Sequence, residues 1–121
     1  MAASEFSIDK IQKALDYFSQ LESEAVGKDA ITVDDAEMVL IAGKIASQLT
    51  QPEKRDIICR EVEKIYPIET SVKSGVSSEY VADMCRNYGE GKRKFTRFDV
   101  MQAKRCCSAM LAYSKIQGEK K

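Results

Sequence analysis

Histidine is missing from all 121 residues, and tryptophan with it. Histidine is the commonest general acid or base near neutral pH and the commonest metal ligand. Its absence excludes Ser-His-Asp and Cys-His hydrolysis. Carboxylate, lysine or tyrosine chemistry is left, and none of it leaves a recognisable spacing. No apolar run approaches the roughly 18–20 residues that cross a bilayer. The start, Met1-Ala2-Ala3-Ser4-Glu5, lacks the basic flank and apolar stretch of a secretory leader. With two prolines and six glycines the chain is neither collagen-like nor a disordered linker. Its 44% apolar and 31% charged residues are the balance of one soluble globular domain spanning residues 1–121.

The four cysteines, Cys59, Cys85, Cys106 and Cys107, show no Cys-x-x-Cys pair and no regular spacing. A zinc knuckle or a disulfide framework is therefore not expected. They read as free thiols filling small apolar positions in a reducing, intracellular compartment. Cys106 and Cys107, beside Lys104 and Arg105, are the best candidates for a thiol-reactive role.

Hydrophobic spacing predicts an all-α bundle of about five helices. Ile8, Ile11, Leu15, Phe18 and Leu21 mark one face of a helix over 7–24, capped by Ser7. Thr32, with Asp35 three residues on, predicts the start of a helix over 33–49. Its run Met38-Val39-Leu40-Ile41-Ala42 covers every direction around the axis, so this helix should be the central, most buried element. Pro52 and Glu53 open a helix over 52–66, which Pro67 ends. A connector over 68–75 leads to a helix over 77–88, stopped by Gly89. Thr96, with Asp99, starts the last helix over 97–116, and 117–121 should fray. No segment reads as a convincing strand on its own.

The segment Gly27-Lys28-Asp29-Ala30-Ile31-Thr32-Val33-Asp34-Asp35 can be laid on Gly91-Lys92-Arg93-Lys94-Phe95-Thr96-Arg97-Phe98-Asp99. Gly, Lys, Thr and Asp match, and Ile31 meets Phe95. With a helix on each side of both copies, the pattern resembles a worn EF-hand pair. The resemblance implies that Ile31 and Phe95 pair across a two-strand bridge. The calcium chemistry is absent. With Asp35 and Asp99 in the last loop position, the third and fifth fall on Val26 and Lys28, and on Glu90 and Lys92. A calcium loop needs side-chain oxygens there and a glycine at the sixth. The stretch from Lys92 to Val100, with Ala103, also resembles the loop and last helix of a core-histone fold. That fold implies a middle helix much longer than Ser77–Tyr88.

Charge is the remaining signal. The net is zero, yet residues 1–85 hold nine Lys/Arg against sixteen Asp/Glu, a net of −7, and residues 86–121 hold the compensating +7. Such segregation has two readings besides phosphate binding: a basic last helix packed beside the acidic early helices with the charges meeting at the rim, or a binding surface. The expectation is a protein-interaction or assembly subunit that is not an enzyme and carries no cofactor, no metal site and no membrane segment. Its basic loop and last helix would dock an acidic partner or a second copy through Arg86, Lys92, Arg93, Lys94, Arg97, Lys104 and Arg105. The competing expectation is a nucleic-acid-associated protein using the same side chains on phosphates, with Phe95 and Phe98 either stacking on bases or anchoring the core. A pI near 6.3 argues against it.

Overall fold

The computed structural model describes residues 7–89, 91 and 93–119. The order is α1 (Ile8–Glu24), β1 (Ile31–Thr32), α2 (Ala36–Leu49), α3 (Pro52–Glu63), α4 (Thr70–Lys73), α5 (Val76–Tyr88), β2 (Lys94–Phe95) and α6 (Arg97–Glu119). The all-α expectation holds, with one small addition. β1 and β2 form an antiparallel two-strand ribbon in which Ile31 faces Phe95 and Thr32 faces Lys94. This is the bridge that the EF-hand resemblance implied. The histone resemblance fails, because α5 has only 13 residues.

Four boundaries differ from expectation, each for a local reason. α2 starts at Ala36 because residues 31–33 are engaged in the ribbon. The Val33 N–H donates to the Arg93 carbonyl at 2.8 Å, so Thr32 cannot cap. Asp35 caps instead, its Oδ1 accepting from the Met38 N–H at 3.2 Å. α3 stops at Glu63, where the Ile65 and Tyr66 N–H groups both fold back to the Val62 carbonyl ahead of Pro67. The connector contains the short α4, and Gly75 joins it to α5 at φ +87°, a conformation favouring glycine. α6 continues to Glu119, past the expected end at 116.

α2 buries Met38, Val39, Ile41, Ala42, Ile45, Ala46 and Leu49, while Leu40 is 56% exposed. Four of the five residues in the apolar run thus point inward and one does not. α2 packs against α1, α3, α5 and α6, and α6 likewise packs against α1, α2, α3 and α5, so the two share the centre. Fully buried Ile11, Phe18, Ile45, Leu49, Phe95, Val100 and Met110 form the centre of one core.

Candidate interaction site

α6 carries three of the candidate contact residues, Arg97, Lys104 and Arg105, and its register decides which charges share a face. At 100° per residue, Arg97, Met101, Lys104, Arg105, Ser108, Ala112 and Lys115 fall on one side of the helix. The opposite side, with Val100, Ala103, Cys107 and Met110, is buried. The outer face is therefore a cationic stripe about 27 Å long from Arg97 to Lys115.

Lys104 is tied to α1, its Nζ lying 2.7 Å from Glu22 Oε1. Arg86 pairs within α5 with Asp83 at 2.6 Å. Arg93 lies over the Tyr88 ring, 4.8 Å from its centroid, and donates to the Tyr88 hydroxyl at 3.1 Å. Among the described residues, Lys94, Arg97 and Arg105 have no carboxylate within ion-pair distance. Lys92 lies outside the described residues. The six described members of the expected contact set thus do not form one cluster. Arg97, Lys104 and Arg105 share the stripe, Lys94 sits beside its start on β2, and Arg86 and Arg93 are held against α5.

The two phenylalanines divide. Phe95 is buried edge-to-face against Tyr88, with ring centroids 6.0 Å apart, so it anchors the core. Phe98 is 53% exposed and pairs edge-to-face with Tyr80, ring centroids 5.4 Å apart. Beside it, the Tyr80 hydroxyl donates to Asp99 Oδ1. That bond and burial push the Tyr80 phenol up to about 12.

Sequence reasoning missed a trough beside the stripe. It lies between α6 and the chain from the end of α3 to α4, with a volume of about 530 Å³. Tyr66, Ile68 and Val72 form one wall, and Met101, Ala109 and Ala112 the other. Lys104, Arg105 and Lys115 rim it, with Glu22 and Glu69 as its carboxylates. The only sequence signal was the apolar trio Ile65-Tyr66-Pro67 at a helix end, which reads equally well as a connector. A second concavity, of about 500 Å³, is acidic and lies between α1 and the start of α2, with Glu24, Asp34 and Asp35 on its wall.

Asp35 and Asp99, the last positions of the two EF-hand-like loops, are used as helix caps. Asp99 Oδ2 accepts from the Thr96 N–H at 2.8 Å while Thr96 Oγ1 accepts from the Asp99 N–H at 3.1 Å. Among the described residues, no group of three or more His, Cys, Asp or Glu could hold a metal ion. All four cysteines are free. Cys106 and Cys107 are completely buried, and burial pushes the Cys106 thiol up to about 12 and that of Cys107 up as well. Lys104 and Arg105 therefore do not activate them, which overturns the thiol-reactive candidacy. Among the described residues no helix is long and apolar enough to cross a membrane. Comparison of the chain with protein-family models, curated proteins and solved structures finds no match.

Proposed function

We propose that this chain is a protein-docking subunit that captures an acidic partner on the outer face of α6 and the adjoining β2. The observation that carries this reading is the set of unmatched cations. Among the described residues Lys94, Arg97 and Arg105 have no carboxylate within ion-pair distance, although residues 1–85 carry a net charge of −7. Exposed cations on a rigid helix steer an anionic partner into register. The partner is either another acidic protein or the acidic concavity of a second copy. Phe98, exposed next to Arg97, favours a second reading in which a base stacks on the ring while the arginine meets phosphate. Zero net charge weighs against it.

The test is fluorescence anisotropy with two labelled probes, a glutamate-rich peptide and a mixed-sequence single-stranded oligonucleotide, at matched salt. The expected result is tighter binding of the peptide, lost in the Lys94→Glu/Arg97→Glu/Arg105→Glu variant. Preference for the oligonucleotide, with the same loss, would replace the proposal by the phosphate reading. Unchanged peptide binding in the triple variant would remove this face from either role. Sedimentation velocity at low salt separates the two kinds of acidic partner, since only self-docking makes a dimer that the same variant dissolves.

A further inference from the structure

We infer that the trough between α6 and the α3–α4 segment seats an amphipathic helix of a partner protein, one whose apolar stripe is flanked by carboxylates. The inference rests on the docking reading and deepens it by naming the partner's shape. Three features of the trough point the same way.

Its lining is apolar, and part of that lining is wet. Val72, Ala109 and Leu111 are buried members of its lining, while Tyr66 is 57% exposed. Tyr66 follows the end of α3 and stays largely exposed. Its α6 wall is also low. Ser108, Ala109 and Ala112 are small, so an incoming backbone can approach α6 as closely as in helix pairs that cross at 8–10 Å.

The trough is charged at its edge with an excess of one sign. Lys104 is occupied by Glu22, but Arg105 and Lys115 have no carboxylate within ion-pair distance among the described residues. Glu69 is the one remaining acidic side chain on the lining. Arg105 and Lys115 stand ten residues apart on one helix, about 15 Å along its axis. Two glutamates separated by a similar number of residues on a docked helix would match both cations. A small ligand fits less well, because the trough is open to solvent and would leave such a molecule uncovered.

The experiment uses the full chain and a labelled helical peptide of roughly 18 residues, long enough to run the stripe, with leucine along one face and glutamate on both flanks. A second peptide replaces each glutamate by lysine. Native protein is expected to bind the first peptide and not the second. Ser108→Trp, at an exposed position on the α6 wall, fills the trough and is expected to weaken binding about tenfold or more, as blocking a central contact does. Tyr66→Ala, on the facing wall, is expected to weaken it in the same direction. Circular dichroism melts confirm that both variants fold.

The outcomes are separable. If Ser108→Trp and Tyr66→Ala bind the acidic helix like native protein while the Lys94→Glu/Arg97→Glu/Arg105→Glu variant does not, the trough is overturned and the docking face stands. If the helical peptide fails to bind native protein while the unstructured glutamate-rich peptide binds, the trough is again overturned and the docking reading survives. If the chain dimerises and Ser108→Trp dissolves the dimer without the peptide competing, the occupant is a second copy and the partner named here is wrong. Equal binding of both helical peptides removes the carboxylate requirement and overturns the proposal.

Discussion

At the scale of single residues, the most constrained position is Gly75. Its φ of +87° is one that a side chain rarely adopts, and an added Cβ would stand 2.5 Å from Arg55 Nη1. That guanidinium cannot yield cheaply, because it donates to the Leu49 carbonyl at 3.0 Å and closes the C-terminus of α2. Gly75→Ala should therefore cost about 2–4 kcal/mol, from left-handed strain and a weakened charged hydrogen bond together. Gly91→Ala, at φ +111° with open space around it, should cost about 1–2 kcal/mol. Urea titration of the two variants measures the difference. The thiols give a second prediction. Burial holds Cys85 and Cys106 protonated up to about 12, and raises Cys107 as well, whereas the unfolded chain releases those protons near the usual value of 9.0. The unfolded state thus binds fewer protons in that window, and stability falls as pH rises from about 9 to about 12. The Tyr80 phenol, raised from 10.0 to about 12, adds loss over the upper part of the same range. Native protein at pH 8 should leave Cys85, Cys106 and Cys107 almost unreactive to a thiol-specific disulfide reagent, and urea should release all three. That the cysteines act as small apolar residues was legible from their spacing. The inertness of Cys106 and Cys107 was not, because charged neighbours in the sequence do not reveal the complete burial that keeps both thiols protonated.

At the scale of elements, the same cap grammar produced two different helix starts. Thr96 and Asp99 form a reciprocal capping box where α6 was expected to begin. Thr32 and Asp35 have the same spacing, yet α2 begins four residues after Thr32 because the ribbon claims Thr32 and Val33 first. Local pattern identifies a cap only when no long-range partner competes for the same backbone. Here the partner is 62 residues away, and the repeat between the loops was its one trace in the sequence. Thr96→Ala should cost about 1 kcal/mol in thermal or urea melts, the usual loss of a cap. Phe95→Ala should cost about 3–5 kcal/mol, since the ring is fully buried between the ribbon and Tyr88. The ribbon resembles the bridge between calcium loops, but its acidic residues are spent on caps and Lys28 occupies a position that needs an oxygen. Millimolar calcium should therefore leave the melting temperature unmoved, and a clear upward shift would show that a site exists.

At the scale of the whole molecule, the division of charge at residue 85 was legible and its spatial meaning was not. Part of the positive third is already engaged within the fold, with Lys104 reaching Glu22 on α1, Arg86 paired to Asp83 on the surface of α5 and Arg93 lying over the Tyr88 ring. Part is turned outward, and which part depends on the register of α6 and on the wall supplied by Tyr66 and Ile68, neither of which charge counting can reveal. The distinction makes stability and binding separable. Lys94, Arg97 and Arg105 make no ion pair within the described fold, so replacing each by glutamate removes no internal partner. Exposed substitutions of this kind usually change stability by no more than about 0.5 kcal/mol each. The triple variant should therefore melt close to the native protein. Its association with an acidic probe should nevertheless collapse, because the field that guides encounter has changed sign along the stripe. Salt should act in the same divided way. Raising ionic strength from about 0.01 M to about 0.15 M shortens the screening length from about 30 Å to about 8 Å, which is less than the stripe is long. Encounter rates with the acidic probe should fall steeply over that range in stopped-flow measurements, while the melting temperature, set mainly by the apolar core, moves little. A melting temperature that falls with salt as fast as the encounter rate would mean that these cations hold the fold together instead of waiting for a partner.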